Sequence, residues 1–165
     1  MTIVIFGGTF DPWTSAHQEI TERLAKKYDK VFVIPTNVSY YRSNEKMYSF
    51  DERVELAGKE LSNISNVEIL TIERSVGSEW RYIDTLKEVI KIFGKENQYF
   101  TAIGSDSLQK FTTWTKYEEI LNLSKLIVFN RPEYTTDFPD IEYEYLPMDN
   151  PISSTQLRNE KLRKN

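Results

Sequence analysis

Cysteine is absent from the sequence, which excludes disulfide bridges and any metal site built on thiolates. Histidine occurs once, as His17, so a single imidazole stands out along the whole chain. No apolar run approaches the ~18 residues that a membrane-spanning helix needs. The first residues enter an apolar segment directly, without the charged region of a signal peptide. These absences favour a cytoplasmic protein with no membrane partner.

The composition is ordinary for a globular protein, with 165 residues of which 39% are hydrophobic and 28% charged. We expect one domain covering residues 1–165, large enough for a real core. The net charge of −4 argues against a nucleic-acid partner, because nucleic-acid binders are usually basic, although it leaves room for a local basic pocket. A homodimer is compatible with this size.

Short apolar runs alternate with segments of helical periodicity along the chain. The runs predict strands at 3–6, 30–35, 66–72, 99–103 and 126–129, with a short edge strand at 143–146. Strands that alternate with helices form a parallel sheet. The sequence therefore predicts an α/β protein with a Rossmann-like, doubly wound parallel sheet and helices on both faces.

Helix boundaries are predicted from capping patterns. Ser49 and Glu52 have the spacing of a capping box, and Gly94 is a good C-cap. The first helix has two candidate starts, an Asp11-Pro12 pair and a capping box of Ser15 with Gln18. Shorter helices are expected at 107–111 and 116–121, and a last one after a cap of Ser153 and Gln156.

The buried faces of two helices follow from the spacing of apolar residues. Ile20, Leu24 and Tyr28 form one stripe, and His17 lies three residues before it, facing the sheet. Phe50, Val54, Ala57 and Leu61 form the stripe of the next helix.

Polar clusters follow four of the predicted strands, at 7–17, 36–43, 104–107 and 130–131. In open parallel sheets the ligand binds beyond the carboxyl ends of the strands, where the strand order reverses. The clusters therefore predict a functional site at one edge of the sheet.

The cluster after the first strand has the composition of a phosphate site. Gly7 and Gly8 let the backbone turn tightly and approach a ligand. Thr14 and His17 lie one helical turn apart, and both can donate hydrogen bonds to phosphate oxygens. The structural alternative is an ordinary strand-to-helix turn with a core histidine.

A second cluster near the C-terminus has the same character. At 152–158 a predicted helix start offers free N–H groups, and Ser154 and Arg158 share one helical face. Hydroxyls, amides and a guanidinium together would hold a polyphosphate. The alternative is a capped surface helix with a solvated arginine.

Together these motifs resemble the two signatures of the nucleotidylyltransferase superfamily. The first is Gly7-Gly8-Thr9-Phe10-Asp11-Pro12 with Thr14 and His17; the second is Ile152-Ser153-Ser154-Thr155 with Arg158. Three middle motifs are similar to the bacterial nicotinate (nicotinamide) mononucleotide adenylyltransferases: Ile83-Asp84-Thr85-Leu86, Gly104-Ser105-Asp106-Ser107-Leu108 with Trp114, and Asn130-Arg131-Pro132. The resemblance runs from about residue 3 to residue 158.

This resemblance implies the nucleotidylyltransferase fold and a transfer of AMP from ATP to a pyridine mononucleotide, releasing pyrophosphate. It implies that the catalytic residues are Thr14, His17 and Arg158. The implied ATP-binding residues are Gly8, Thr9, Phe10, Thr14, His17, Asp106, Ser154, Thr155 and Arg158. The implied acceptor-binding residues are Gly7, Thr85, Trp114 and Arg131. The cofactor would be Mg²⁺ carried by the ATP phosphates, with no metal ligands from the protein.

Three departures from the family pattern stand out. Thr14 replaces the first histidine of the common His-x-x-His pair, and the loop lysine expected near Ser43 is missing, with Arg42 or Lys46 as replacement. The residues at 80–82 are Trp-Arg-Tyr instead of Ser-Tyr-Thr, beside the acceptor's ring, which leaves nicotinate and nicotinamide both open.

Two rival functions are weighed against this interpretation. One is a related nucleotidylyltransferase, of the pantetheine-phosphate adenylyltransferase or cytidylyltransferase type, and the other is a non-catalytic nucleotide sensor. Trp114 and Arg131 argue against the first rival, and the presence of His17 and Arg158 argues against the second.

Overall fold

The protein is described by a computed structural model over residues 1–37, 47–129 and 140–148. In these ranges the strands are β1 (Thr2–Gly8), β2 (Lys30–Pro35), β3 (Val67–Ile69), β4 (Gln98–Gly104), β5 (Lys125–Phe129) and β6 (Tyr143–Leu146). The helices are α1 (Ser15–Lys27), α2 (Phe50–Leu61), α3 (Tyr82–Phe93), α4 (Ser105–Gln109) and α5 (Tyr117–Leu123), with a 3₁₀ turn at Phe111–Thr113. The predicted sites and caps at Arg42, Lys46, Arg131, Ser153, Ser154, Thr155, Gln156 and Arg158 lie outside the described residues.

The strands form one parallel sheet in the order β3-β2-β1-β4-β5-β6. β1 is central, with β2 on one side and β4 on the other. The chain first winds outward from β1 to β3 and then returns to β4, so the order reverses between β1 and β4. The prediction of a doubly wound α/β fold is confirmed, and the reversal places the expected ligand crevice at the ends of these two strands.

Each face of the sheet has its own hydrophobic core. Helices α1 and α2 cover one face through residues such as Ile20, Leu24 and Leu61. Helices α3, α4 and α5 cover the other through residues such as Leu86 and Ile120. Because both faces are covered, the central strands are apolar along their whole length.

The predicted elements differ from the observed ones at a few boundaries. β3 has three paired residues instead of the seven of 66–72, because it is an edge strand paired only with β2. α4 begins at Ser105, directly after β4, and the predicted 107–111 segment is divided between α4 and the 3₁₀ turn. The edge strand 143–146 and the C-cap at Gly94, which has a φ of 106° suited to glycine, are confirmed.

Within the described residues, no helix combines the length and the apolar character that crossing a membrane requires.

Candidate active site

A cavity of about 460 Å³ opens at the carboxyl ends of β1, β2 and β4. It lies where the strand order reverses, on the side of the sheet that α3 covers. Its lining residues are Ile5, Gly7, Gly8, Thr9, Ile34, Thr36, Glu73, Trp80, Arg81, Tyr82, Thr85, Thr101, Ala102, Ile103, Ser107, Thr113, Trp114 and Thr115. This volume is in the usual range of small-molecule sites.

The cavity brings together five residues that the sequence analysis singled out, namely Gly7, Gly8, Thr9, Thr85 and Trp114. The others in the described part of the chain, Phe10, Thr14, His17 and Asp106, do not line it. Phe10, Thr14 and His17 belong to the loop and helix start after β1, and Asp106 is half-buried in the first turn of α4, after β4. All nine therefore lie near the ends of β1 or β4 or on the α3 side of the cavity.

Helix α1 begins with a cap that neither predicted start provides. Thr14 is the N-cap, its Oγ1 accepts from the His17 N–H at 3.3 Å, and its own N–H donates to His17 Nδ1 at 3.0 Å. Asp11 is wrong as the cap because its carboxylate accepts from the N–H groups of Met47 and Tyr48, each at 2.8 Å. The Ser15 and Gln18 capping box is wrong because the helix starts one residue earlier than it requires.

The cap determines the hydrogen-bonding state of His17. A backbone N–H directed at Nδ1 makes this nitrogen an acceptor, so the ring of the neutral imidazole carries its hydrogen on Nε2. The side chain is 7% exposed and lies among three aromatic rings, with centroids 5.0 Å from Phe10, 5.3 Å from Trp13 and 6.3 Å from Phe6. His17 is therefore a pre-oriented donor.

The loop after β1 depends on a glycine at position 8. Phe10 has a φ of 50° and its ring covers Gly8, where an added Cβ would lie 3.0 Å from two ring carbons. Because any larger residue would push this ring away, Gly8 keeps the backbone close to the cavity while Phe10 packs into the core.

Arg53 is a buried arginine that the sequence analysis did not select. Its side chain is 1% exposed, and Nη1 donates to the carbonyl oxygens of Thr9 at 2.7 Å and Thr36 at 2.8 Å. It thereby joins the loops that follow β1 and β2. Burial lowers the pKa of the guanidinium, while the negative charge of Asp11 acts in the opposite direction.

A signal for Arg53 was present in the sequence. Positions 53, 57 and 61 are four apart and share one face of α2, and the structure buries Arg53, Ala57 and Leu61 on that face. Phe50 and Val54 of the predicted stripe are only half-buried, so the buried face is rotated from the predicted one. The capping box of Ser49 and Glu52 is confirmed, with both bonds at 3.2 Å.

The wall of the cavity beside α3 contains a chain of side-chain hydrogen bonds. Trp80 Nε1 donates to Thr85 Oγ1 at 2.8 Å, and Thr85 Oγ1 donates to Glu73 Oε2 at 2.8 Å. Glu73, which sequence reasoning missed, is 7% exposed and also accepts from the Asn37 backbone N–H. The chain holds the Thr85 hydroxyl in one orientation.

Aromatic side chains form the adjoining part of the wall. The rings of Tyr82 and Phe111 lie 5.6 Å and 5.1 Å from that of Trp114. Burial raises the pKa of Tyr82, whose hydroxyl is hydrogen-bonded to Thr101 Oγ1 at 2.8 Å. The buried Trp114 Nε1 has no hydrogen-bond partner among the described residues. Trp114 is thus held by aromatic packing, at the surface of the cavity.

Replacing Glu73 with glutamine is expected to change how stability depends on pH. Burial raises the pKa of Glu73 above its ordinary 4.5, more than the bonds from Thr85 and Asn37 lower it. As the pH rises above 4.5, the Glu73 carboxyl of the unfolded chain loses its proton at a lower pH than the carboxyl of the folded protein. The free energy of unfolding of the wild type therefore falls as the pH rises from the unfolded-state pKa to the folded-state pKa.

Urea unfolding of both proteins at several pH values above 4.5 measures this effect. The glutamine side chain of Glu73→Gln does not titrate. The free energy of unfolding of this variant, relative to that of the wild type, should therefore increase as the pH rises. A difference that stays constant with pH, or that runs the other way, would contradict the raised pKa.

Comparison with known proteins gives one matching family model, Cytidylyltransferase-like, over residues 5–160. Among curated proteins, a probable nicotinate-nucleotide adenylyltransferase of Fusobacterium nucleatum is 36% identical over 171 aligned residues; the alignment covers 96% of this chain and 86% of the Fusobacterium protein. A probable nicotinate-nucleotide adenylyltransferase of Listeria monocytogenes is 30% identical, and the alignment covers 94% of this chain and 84% of the Listeria protein.

Among solved structures, the nicotinic acid mononucleotide adenylyltransferase of Plasmodium falciparum complexed with NaAD has a similar fold. Its TM-score is 0.73 at 20% identity, with 96% of this chain and 82% of that chain covered.

Proposed function

This chain belongs to the Cytidylyltransferase-like family and, within it, to the nicotinate-nucleotide adenylyltransferases, and on that premise we propose the following activity. The protein transfers AMP from ATP to nicotinate or nicotinamide mononucleotide in NAD biosynthesis. A phosphate oxygen of the mononucleotide attacks the α-phosphorus of ATP and forms a new P–O bond. The bond between the α-phosphorus and the bridging oxygen breaks, and pyrophosphate leaves with that oxygen.

One observation carries this proposal: a single cavity joins the Gly7-Gly8-Thr9 loop to the wall that contains Thr85 and Trp114. The loop has backbone that can approach phosphates, and the wall has an aromatic ring that can stack on a pyridine. A transfer between two nucleotides needs both kinds of surface within reach of one reacting phosphate.

His17 and Thr14 would act on the phosphates of ATP as hydrogen-bond donors. The bond from the Thr14 N–H to Nδ1 leaves His17 Nε2–H as the donor. The Thr14 hydroxyl accepts from the His17 N–H and lies 3.2 Å from the acceptor Nδ1 of His17, from which its own hydrogen would turn to a phosphate oxygen. The acceptor's phosphate is already a nucleophile near neutral pH, so catalysis rests on alignment and on stabilising charge in the transition state.

The remaining ATP contacts would come from three parts of the chain. The backbone of Gly8, Thr9 and Phe10 would lie along the phosphates, and Asp106 would bind the adenosine ribose. Ser154, Thr155 and Arg158, whose positions are not described, would hold the β- and γ-phosphates.

The acceptor would occupy the wall beside α3. Its pyridine ring would stack on Trp114, near Gly7 and Thr85, and Arg131, outside the described residues, would bind its phosphate. The Thr85 hydroxyl donates to Glu73, so we expect its contribution to the acceptor to come through the shape and polarity of the wall.

Mg²⁺ would enter with ATP, where it neutralises part of the phosphate charge. The described residues contain no group of three or more His, Asp or Glu side chains that could hold a metal ion. Near the loop after β1, the Asp11 carboxylate already accepts two backbone N–H groups. The hydrogen-bond donors of Thr14 and His17 suit phosphate oxygens, and the metal would then be carried by those oxygens.

Pyrophosphate release tests this function. Purified protein with ATP, Mg²⁺ and either mononucleotide should release pyrophosphate and form the corresponding dinucleotide in equal amounts. Pantetheine phosphate in place of the mononucleotide, and CTP in place of ATP, serve as controls that should give no product. Absence of turnover with both pyridine mononucleotides would refute the proposal.

A further inference from the structure

Arg81 lines the same cavity as Trp114. It stands at the N-cap of α3, a position where short polar residues are preferred, so helix capping does not explain an arginine there. Its Nη1 donates to the carbonyl oxygens of Ser78 at 2.9 Å and Trp80 at 3.3 Å. These bonds hold the guanidinium against the turn that precedes α3.

The position of Arg81 relative to Trp114 follows from their neighbours. Tyr82, the next residue along the chain, has its ring 5.6 Å from the Trp114 ring. Trp80, the preceding residue, is bonded to Thr85, which also lines the cavity. A pyridine ring stacked on Trp114 would therefore lie in a cavity whose wall includes Arg81.

The charges of this wall favour an anionic substituent. Of its lining residues, Glu73, Arg81 and Tyr82 are titratable. Arg81 carries a positive charge, whereas Tyr82 is neutral because burial raises its pKa. Burial also raises the pKa of Glu73, whose carboxyl is already engaged by the Thr85 hydroxyl and the Asn37 N–H.

Two further charges lie near the start of α3. The Asp84 carboxylate accepts the Arg81 backbone N–H at 2.9 Å, and Asp84 does not line the cavity. The N-terminus of α3 adds a partial positive charge. Among the described residues that line the cavity, Arg81 is the one with a cationic side chain, and the Glu73 carboxyl is held by two other donors.

We propose that Arg81 determines acceptor specificity, by favouring a pyridine mononucleotide with a ring carboxylate over one with a ring carboxamide. This inference rests on the proposed function and names the substrate of the same site. A guanidinium binds a carboxylate through charge-assisted hydrogen bonds, whereas a neutral carboxamide gains little from its charge.

The test compares kcat/KM for nicotinate and nicotinamide mononucleotide in the wild type, Arg81→Gln and Arg81→Lys. Arg81→Gln should lower kcat/KM for nicotinate mononucleotide by ~10–100-fold, as expected for losing a charged hydrogen-bond partner. It should leave kcat/KM for nicotinamide mononucleotide within a factor of ~3. Arg81→Lys, which keeps the charge, should recover part of the loss.

Arg74→Gln is the matched control, since it removes one positive charge from the same connection between β3 and α3. Arg74 is paired with Asp51 and does not line the cavity, so the acceptor ratio should not change. Unfolding midpoints of all variants, measured in parallel, should match the wild type.

An unchanged acceptor ratio in Arg81→Gln, or an equal loss for both acceptors, would overturn the specificity role. So would an equal change of the ratio in Arg74→Gln, which would assign the effect to general charge. Failure of the proposed function itself is distinct, because the wild type would then release no pyrophosphate with either acceptor.

Discussion

His17→Ala is expected to lower kcat by ~10²–10³, the usual cost of removing one well-placed donor to a transition-state charge. The bond from the Thr14 N–H to Nδ1 fixes the ring so that Nε2–H is the donor, and three aromatic rings restrict its motion. The affinity for the acceptor should change little, because His17 does not line the cavity that Trp114 and Thr85 share. Steady-state kinetics of dinucleotide formation measure both quantities.

Two matched variants separate catalysis from helix capping. In His17→Asn and His17→Gln, the amide oxygen can accept the Thr14 N–H as Nδ1 does, and glutamine is a usual residue at this position of a capping box. Neither variant keeps the imidazole N–H at the Nε2 position. We expect both variants to be more stable than His17→Ala and to remain slow.

A kcat near that of the wild type in both capped variants would identify His17 as a structural residue whose loss slows the enzyme by unfolding the start of α1. A bell-shaped pH profile that disappears in His17→Gln would instead point to acid–base catalysis and contradict the donor role.

Arg53→Met is expected to lower the free energy of unfolding by ~2–4 kcal/mol, because it leaves two partly buried carbonyl oxygens without their donor. The guanidinium bonds to Thr9 and Thr36 join the ends of β1 and β2, and methionine offers similar bulk without a hydrogen bond. The Asp11 carboxylate would also lose the favourable interaction with the Arg53 charge. Since Thr9 lines the cavity, kcat should fall together with stability.

Urea unfolding of Arg53→Met beside Lys59→Met measures this effect. Lys59 is an exposed residue of the same helix, and its replacement should stay within ~0.5 kcal/mol of the wild type. A stability of Arg53→Met equal to that of the Lys59 control would mean that the strand ends are held together without the guanidinium.

Features governed by neighbouring residues could be predicted from the sequence. The α2 capping box needs only Ser49 and Glu52, three residues apart, and the end of α3 needs only Gly94. The strands were found because apolar runs are long wherever both faces of a sheet are covered. The order of strands and helices then determined the fold class, and the polar clusters at strand ends predicted the edge of the sheet at which the cavity opens.

Features that join distant segments could not be predicted in the same way. The sequence predicts Asp11 as a helix cap. In the structure its carboxylate instead accepts hydrogen bonds from the N–H groups of Met47 and Tyr48, 36 and 37 residues further along the chain. Thr14 and His17 therefore form the cap of α1 in place of Asp11. The bond from the Thr14 N–H to Nδ1 in this cap selects the tautomer of the histidine.

Burial of charge is the clearest case. The charges of Arg53 and Glu73 predict exposed side chains. In the structure both are buried, because groups from other segments of the chain form hydrogen bonds with them. The sequence alone determined the fold class, the family resemblance and the glycine turn after β1, because these depend on local pattern. Only the tertiary structure decided which side chains share a wall with Trp114, because strand order, not sequence separation, brings Glu73, Arg81 and Trp114 to one cavity.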